Sequence, residues 1–339
     1  MNEWVLAAGV ALVAVIWADA LITALSQRGG GPITSRVAHG LWRLSLAAMP
    51  PGTRSRAVEL IGPTVVAAIV LAWLLGLWAG WLLVFSADPS VVVDANSRAP
   101  VDLGTRIYFV GFVLWTLGTG TYVPVGDGWE ILTAAASLQG FALITLGVTY
   151  LLQVLQAVTA ERQLAGVVDD LGGTPDGIVR QNWSGSGFDA LSSYVPSLVQ
   201  MIEHHGRRHQ AYPGLRYFRS AERRVALAPS LAALSDALLL LESGVAPNAA
   251  PPPPTLRPLR RALDGFVASL DHTAVEPSAA DPPLPDLAAL AQSGVPTAPP
   301  AAFAAGAGWA SHRRRALWGL VDASGWRWDD VVGEASTPP

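Results

Sequence analysis

Three long runs of apolar residues stand out along the first half of the chain. They extend from Trp4 to Leu25, from Ile61 to Phe85 and from about Ile131 to Val158. Each exceeds the roughly 20 residues with which an α-helix crosses about 30 Å of hydrocarbon. The pattern predicts three transmembrane helices. Glu3 and the absence of arginine before the first run argue against a cleaved secretory signal, so we expect this helix to be retained.

The charged residues between the runs predict their orientation. The connection between the first two runs carries five arginines and one acid, whereas residues 86–106 carry three aspartates and two arginines. Because positive charge is held on the cytoplasmic side, the first connection is expected inside and the N-terminus outside. The third run then ends in the cytoplasm. We therefore expect a multi-pass protein of the plasma (inner) membrane with a cytoplasmic C-terminal domain.

Two polar features accompany the first run. Asp19 lies inside it, where an ionisable residue is costly and becomes a functional candidate; a pair with a Trp or a hydroxyl of a neighbouring helix is the alternative. After the run, apolar residues alternate with Arg36, His39 and Arg43. This alternation predicts a short amphipathic helix at the inner membrane interface. The second run is rich in tryptophan, which predicts lipid-facing and interfacial anchors, namely Trp73, Trp78 and Trp81.

An apolar segment between the second and third runs is too short to cross a membrane. Residues 108–115 can form about two helical turns, and a segment rich in threonine and glycine follows from Thr116 to Pro124. Non-helical backbone is stable at membrane depth only inside protein or beside a watery cavity. Glycines let successive carbonyl oxygens point one way and replace the hydration shell of a cation. These features predict a pore loop, with a glycine-rich extracellular turn as the alternative.

Over about 100 residues, Ile61 to Ala160, the chain resembles the two-transmembrane, pore-loop potassium-channel family. The segment Thr116-Leu117-Gly118-Thr119-Gly120 is similar to the family's Thr-Val-Gly-Tyr-Gly filter, and Val123-Pro124 stands where the family often has Val-Pro. Gly140 follows Gly120 by 20 residues, near the place of the family's hinge glycine. The resemblance implies ion sites made by the carbonyls of Thr116 to Thr119 and the Thr116 hydroxyl, in an extended strand.

Three positions depart from the family pattern. Thr119 replaces the tyrosine that braces the filter, Thr121 replaces the acid that ends the motif, and Trp115 stands where threonine is common. The resemblance therefore implies a pore more strongly than potassium selectivity, and we expect weak discrimination between K⁺ and Na⁺. Thr121 and Asp127 would lie at the outer mouth, where a carboxylate concentrates cations; an ordinary solvated loop acid is the alternative for Asp127.

Polar residues form one stripe on the third run. Thr145, Thr149, Gln153 and Gln156 are spaced by four, four and three residues and so share a helical face. This stripe predicts the lining of a water-filled pore, with interhelical hydrogen bonding as the alternative. Gly140 and Gly147 are candidate bends for gating, or positions of close helix packing. Because one chain supplies one loop, a central filter requires a homotetramer.

The composition beyond Ala160 predicts a helical cytoplasmic domain. Predicted helices cover 161–171, 189–205, 219–241, 256–270 and 309–320, whereas 274–302 is rich in Pro and Ala with too little core-forming content to order firmly. We divide the chain into five parts: 1–27, the first transmembrane helix; 28–60, the cytoplasmic amphipathic connection; 61–160, the pore domain of outer helix, pore loop and inner helix; 161–245, the cytoplasmic helical domain; and 246–339, Pro/Ala-rich linkers and C-terminal helices.

Two charged clusters lie in this second half. Glu203 to His209 lacks the histidine spacing of a helical metal site, and its positive charge suits anionic lipid at the membrane surface. Arg313 to Arg315, beside Trp309 and Trp318, suit docking on the inner leaflet, with a plain exposed helix face as the alternative. Neither cluster has the basic domain or aromatic motif of a nucleic-acid partner. The partner or ligand of this half stays open.

Composition narrows the function further. Of the residues, 51% are hydrophobic and 14% charged, outside the usual range of soluble proteins. The chain has no Cys and no Lys, which excludes disulfides, thiolate zinc sites, cysteine nucleophiles and Schiff-base lysines. No catalytic constellation emerges, so we expect no enzyme and no cofactor beyond a permeant K⁺ or other monovalent cation.

Together these patterns predict an all-α membrane protein with three transmembrane helices, a re-entrant pore helix and filter loop, and a helical cytoplasmic domain. The function predicted is that of a homotetrameric monovalent-cation channel in a lipid bilayer. The alternative is a non-conducting, membrane-anchored sensor or scaffold with a pore-like fold and a partner-binding cytoplasmic domain.

Overall fold

The described part of the protein is almost entirely helical. The computed structural model describes residues 1–25, 30–48, 59–118, 120–211, 218, 220–270 and 275–333, with side chains except at 46–48 and 207–211. The helices are α1 (Glu3–Leu25), α2 (Pro32–Ala48), α3 (Ile61–Ser86), α4 (Leu103–Leu114), α5 (Asp127–Asp170), α6 (Pro175–Gln181), α7 (Asp189–Ala211), α8 (Leu227–Leu239), α9 (Pro253–Leu270), α10 (Leu287–Gln292), α11 (Pro300–Gly306), α12 (Ser311–Ala323) and α13 (Trp328–Val332).

Short irregular elements join these helices. A two-stranded antiparallel sheet is formed by β1 (Val92–Asp94) and β2 (Tyr122–Pro124). A π-helical turn, Leu240–Gly244, continues α8. The chain forms two compact units, and α5 contributes to both: the first unit is mainly residues 1–45 and 63–155, and the second mainly 46–62, 156–211 and 215–339.

Four helical segments of the described chain are long and apolar enough to cross a membrane. Three of them are α1, α3 and α5, which confirms that the three apolar runs are helices. The fourth, Leu227–Gly244, differs because 83% of its most apolar window is buried, against 22% to 39% in the other three. A helix that is apolar on all sides is typical of the core of a domain as well as of a membrane. We assign Leu227–Gly244 to the core of the second unit.

Close contacts of small residues pack α1 against α3. A Cβ added to Gly9 would lie 2.8 Å from the carbonyl oxygen of Gly80, so the two backbones approach directly. Gln139 of α5 joins the same pair, because its Oε1 accepts hydrogen bonds from Trp17 Nε1 at 3.1 Å and Trp81 Nε1 at 3.3 Å. Contacts of this kind replace the hydrophobic drive that is missing between helices in lipid.

The buried carboxylate of Asp19 connects three helices. It is 1% exposed and accepts hydrogen bonds from Ile33 N at 2.7 Å, Thr34 Oγ1 at 2.6 Å and Trp73 Nε1 at 2.9 Å. The backbone amides at the start of α2 have no intrahelical acceptor, and Asp19 supplies one from α1. The pairing with a Trp and a hydroxyl, the alternative drawn from the sequence, is therefore what the structure contains.

The tryptophans of α3 correct one expectation. Trp73 is fully buried and bonded to Asp19, and Trp81 is 5% exposed and bonded to Gln139. The expected lipid-facing anchors are therefore wrong for these two residues. An indole N–H buried in an apolar environment requires an acceptor, and a polar side chain on a neighbouring helix provides it.

Helix α8 is the centre of the second unit. Helices α6, α9, α12 and α13 all pack against it, and α7 packs along α9. The predicted helix over 219–241 starts only at Leu227, because Pro229 fits only the first turn of a helix. The helix that follows the third apolar run continues unbroken to Asp170, where Gly172 and Gly173 adopt φ values of 135° and 68° that end it.

An ion pair lies inside this core. Arg314 of α12, 3% exposed, donates from Nε and Nη2 to the two oxygens of Asp236 on α8, at 2.7 and 2.9 Å. The adjacent Arg313 is also 3% exposed and donates to Ser235 and Asp264. Docking of the arginine triplet on the inner leaflet is therefore wrong for Arg313 and Arg314. A charge that is buried needs partners within the protein, and these two have them.

The proline-rich segment is ordered by the same arginine. Arg314 donates to the carbonyl oxygens of Pro282 and Pro283 at 3.0 and 2.6 Å. Residues 287–292 and 300–306 are helical. The expectation that 274–302 orders poorly is wrong for 275–302, because Leu287, Leu290 and Val295 are buried in the core of the second unit and the hydrogen bonds from α12 add to this anchoring.

Replacing Arg314 by Met leaves the Asp236 carboxylate buried and unpaired. We expect the free energy of unfolding to fall by about 3–5 kcal/mol. Arg315→Met, which removes the neighbouring arginine at 40% exposure and 3.6 Å from Asp281, is the matched control and should cost less than about 1 kcal/mol. Thermal unfolding of the full chain in detergent, followed by helical circular dichroism, measures both. Equal losses in the two variants contradict the assignment of the buried pair.

Candidate functional site

Helix α4 begins at a defined cap. The Asp102 side chain accepts a hydrogen bond from Thr105 N at 2.8 Å, which is the standard N-cap contact. Hydrogen bonds from the Thr105 side chain and backbone lower the pKa of Asp102. Arg106, one turn into the helix and buried, donates to the carbonyl of Pro89 at 3.0 Å. The start of α4 is thereby fastened to the polar linker after α3.

Helix α4 ends against the N-terminal third of α5. A Cβ added to Gly140 would overlap the carbonyl oxygen of Leu114, the last residue of α4. Gly147 is placed in the same way against α3, since its Cβ would lie 2.9 Å from Cγ1 of Val70. Both glycines thus occupy positions of close packing, the alternative drawn from the sequence.

The backbone turns sharply after α4. Trp115 caps the helix, and Thr116 N and Leu117 N donate to the carbonyls of Val113 and Phe112 at 3.1 and 3.0 Å. This pair of bonds is the Schellman motif, which requires a left-handed residue after the cap. Thr116 supplies it with φ 58°. A β-branched residue in this conformation is strained by about 1–3 kcal/mol.

The candidate filter therefore has a different backbone from the one expected. Thr116 and Gly118 have φ values of 58° and 66°, so the prediction of an extended strand is wrong at these two positions. The cause is the end of α4, which places its C-terminal turn on the first filter residue. Thr116, Leu117, Gly118 and Gly120 are exposed in the single chain, and Thr119 lies outside the described residues.

A short sheet holds the chain beyond the candidate filter. Strand β2 pairs with β1, which lies in the linker after α3, and Val93 stands opposite Val123. The carbonyl oxygen of Thr121 accepts a hydrogen bond from Ala95 N at 2.8 Å. The turn after β1 is stabilised by the Asp94 carboxylate, whose pKa is lowered by hydrogen bonds from the amides of Ser97 and Asn96. The sequence analysis missed this sheet, because strands of three residues have no detectable period.

Trp115 and Trp78 form an aromatic contact beside this turn. Their ring centroids are 6.5 Å apart in an edge arrangement, and Trp78 Nε1 donates to the carbonyl of Ile107 in α4 at 3.3 Å. Sequence reasoning noted Trp115 only as a departure from the family pattern and Trp78 only as an anchor. In the structure the Trp78 ring contacts both Ile107 and Trp115, and so fixes α4 to α3 at two places along the helix.

The candidate lining residues lie on the exposed face of α5. With about 100° per residue and Thr145 as the reference, Gln156, Thr149 and Gln153 lie about 20°, 40° and 80° to one side. Leu152, Phe141 and Val148 lie about 20°, 40° and 60° to the other side. Thr145, Thr149 and Gln156 are exposed and Gln153 is half-buried. The hydroxyls of Thr145 and Thr149 donate to carbonyls one turn earlier, at 2.9 Å each. The exposed face is thus polar along one edge and apolar along the other.

The remaining predicted residues are more scattered. Asp127 is exposed in the first turn of α5, where the negative charge of a carboxylate interacts favourably with the positive end of the helix dipole. His204 is exposed on α7, whereas His205 is buried with Nε2 at 3.6 Å from Glu161 Oε1. Within the described residues no cluster of His, Asp and Glu has the arrangement of a metal site. The side chains of Arg207 to His209 lie outside the description.

The arrangement defines a multi-pass, all-helical membrane protein. Over 342 aligned positions, covering all of both chains, it is 29% identical to the uncharacterized membrane protein YdjJ of Bacillus subtilis (strain 168). No family model and no solved structure matches the chain. Because that similarity runs from end to end, it includes the second unit as well as the apolar helices.

Replacing Gly140 by Ala forces α4 and α5 apart, because the new methyl group has no room beside the Leu114 carbonyl. We expect destabilisation of about 1–3 kcal/mol. Gly166→Ala, in the same helix and with open space around it, should instead gain about 1 kcal/mol from helix propensity. Melting in detergent distinguishes the two, and a neutral Gly140→Ala contradicts the contact.

Replacing Thr116 by Gly removes the strain of the left-handed conformation. We expect a gain in stability of about 1 kcal/mol. Thr133→Gly, a helical position within α5, is the control and should lose about 0.3 kcal/mol, the difference in helix propensity between Thr and Gly. Paired melting curves test the sign. A loss of stability in Thr116→Gly would mean that the threonine side chain stabilises the loop by more than its backbone costs.

Proposed function

We propose that the protein is a homotetrameric monovalent-cation channel whose pore loop is formed by α4 and the turn that follows it. The observation that carries the proposal is the contact between Leu114 and Gly140. Gly140 lies nine residues beyond Ile131, the predicted start of the span, which is about 14 Å along a helix. That depth is close to half of a hydrocarbon core of about 30 Å.

The depth at both ends of α4 supports a re-entrant helix. α4 has 12 residues, or about 18 Å, and begins beside the polar linker of residues 86–102. It therefore enters from that side, reaches the midplane and stops. β2 returns the chain to the same linker through its pairing with β1. Irregular backbone at such depth requires surrounding protein or a watery cavity.

The charge distribution favours a cation. The C-terminal end of α4 carries the partial negative charge of the helix dipole and points into the membrane. Four such ends around one axis would stabilise a dehydrated cation. The polar edge of the exposed α5 face, from Thr145 to Gln156, lies on the span below that level and is suited to line the pathway. The apolar edge, with Phe141, Val148 and Leu152, is suited to lipid or to a neighbouring copy.

The topology belongs to the same proposal. The N-terminal amine lies 3.6 Å from Asp88 Oδ2, so the N-terminus shares a side with residues 86–102. The arginines of the first connection favour the opposite side as cytoplasmic. The second unit, which follows α5, would then lie in the cytoplasm of a bacterial cell and the spans in its plasma membrane.

One observation favours the alternative of a non-conducting sensor or scaffold. With Thr116 left-handed at φ 58°, its carbonyl oxygen does not continue an extended filter strand. Conduction would then require the turn to change conformation. The second unit, with its buried ion pair and complete core, would in this case be the functional part and bind a partner.

Flux measurements separate the two functions. Protein reconstituted in K⁺-loaded liposomes should release K⁺ when a gradient is applied, and reversal potentials in mixed salts should show K⁺ and Na⁺ permeabilities within about tenfold of each other, because no tyrosine braces the filter. A strong preference for K⁺ would refute the weak selectivity. Absence of flux from verified tetramers, or a stable monomer, would refute the channel.

Cysteine labelling tests the lining. The chain has no native cysteine, so Thr149→Cys carries the only reactive thiol. A cationic, water-soluble thiosulfonate on both sides of the vesicle should reduce flux about tenfold or more, because fixed positive charge in the cavity repels cations. Val148→Cys, on the apolar edge and 52% exposed, is the matched control and should be unaffected. Equal effects on both variants would contradict the assignment of the polar edge.

A further inference from the structure

Helix α2 has one buried face and one exposed face. Thr34 and Ala38 are 3% and 4% exposed, and both face the first unit. On the opposite side, Arg36, His39 and Arg43 are exposed at spacings of three and four residues, within an arc of about 60°. A Cβ on Gly40, about 40° beyond Arg36 on the side away from His39, would have nothing within 4 Å. The outward surface of α2 is therefore open and basic.

The basic surface is not neutralised within the described chain. α2 contains no Asp or Glu, and no ion pair joins Arg36 or Arg43 to any described residue. The Nδ1 atom of His39 lies 2.7 Å from the carbonyl oxygen of Ser35, so it donates there and leaves Nε2 for another partner. Three cationic or hydrogen-bonding groups thus share one face.

The Asp19 contacts determine where this face lies relative to the bilayer. Asp19 is six residues before the end of α1, or about 9 Å along the helix. It holds the backbone amides of Ile33 and Thr34, so α2 begins about that far inside the end of a membrane-spanning helix. Interfacial amphipathic helices lie about 5–10 Å into the boundary between headgroups and acyl chains. α2 is therefore placed at the level of the phospholipid headgroups.

The apolar side chains at the edge of this face fit the same environment. Leu44 is 67% exposed beside Arg43, and Trp42 and Val37 are half-buried at the flanks. At a bilayer surface the leucine contacts acyl chains and the arginine reaches the phosphate. A ligand that fits this face therefore carries both a negatively charged group and a hydrocarbon group.

We propose that the Arg36–His39–Arg43 face of α2 is a binding surface for anionic phospholipid headgroups of the leaflet that borders it. The phosphate oxygens accept from the two guanidinium groups, which match their geometry, and the acyl chains contact Leu44. Asp19 positions the helix, so lipid bound there is coupled to α1 and α3. The proposal does not depend on whether the protein conducts.

Lipid retention tests the proposal. The full chain, purified in mild detergent and stripped of lipid, is titrated with phosphatidylglycerol or phosphatidylcholine, and bound lipid is counted by native mass spectrometry. The wild type should bind phosphatidylglycerol preferentially. Arg36→Gln with Arg43→Gln should weaken this binding roughly 30-fold, the factor for two charge contacts of about 1 kcal/mol each. Arg36→Lys with Arg43→Lys keeps both charges and loses the guanidinium geometry, so it should lose less binding than the Gln variant.

A matched control removes the same charge elsewhere. Arg257→Gln with Arg261→Gln changes two exposed arginines on α9 and should leave binding unchanged; an equal loss would mean a general charge effect and overturn the proposal. Unchanged binding by the Arg36/Arg43 variant also overturns it. The melting temperature is measured with phosphatidylglycerol and with inorganic phosphate. An equal rise with inorganic phosphate also overturns the proposal, since the ligand is then a free anion. A change in particle mass without a change in lipid binding would assign the face to a second copy.

Discussion

The arrangement of the first unit depends on where a 12-residue helix ends. α4 is too short to cross a membrane, yet its last carbonyl lies against Gly140, well inside the longest helix of the chain. The missing side chain at Gly140 makes this approach possible. Two features of the segment follow from it: the C-terminal end of α4, with the negative end of its helix dipole, points at α5, and the chain returns to the linker after α3 through β2.

Polar groups inside the apolar helices serve this arrangement. Asp19 joins α1, α2 and α3, and Gln139 joins α1, α3 and α5 through two tryptophans. In lipid, apolar surfaces offer little preference between one helix orientation and another, so hydrogen bonds and close glycine contacts determine which faces meet. In the second unit, the orientation of the helices is determined differently. Other helices surround α8, and the buried Asp236 on α8 pairs with Arg314.

Several elements were predictable and others were not. The three apolar runs and the amphipathic α2 follow from length and period, since an apolar helix of more than 20 residues has few alternatives. The order of residues 275–302 was not predictable, because it depends on contacts with distant parts of the chain, among them the core that buries Leu290 and the hydrogen bonds from Arg314. The burial of Trp73 and Trp81 was not predictable either. Tryptophan in an apolar run is typical of a lipid surface, and the hydrogen-bond partners of these two residues are on other helices. The sequence identified Gly140 and Gly147 as either bends or packing positions, and the packing follows only from the tertiary structure.

The sequence by itself determined that this is a membrane protein with three apolar helices, a short helix followed by a glycine-rich turn between the last two, and a helical second half. These features follow from hydropathy and residue spacing, which are local properties of the sequence. Tertiary structure alone decided that Asp19 caps α2, that α4 ends against Gly140 and that Thr116 is left-handed rather than extended. Those outcomes depend on which atoms of distant segments meet, and no pattern along the chain records that.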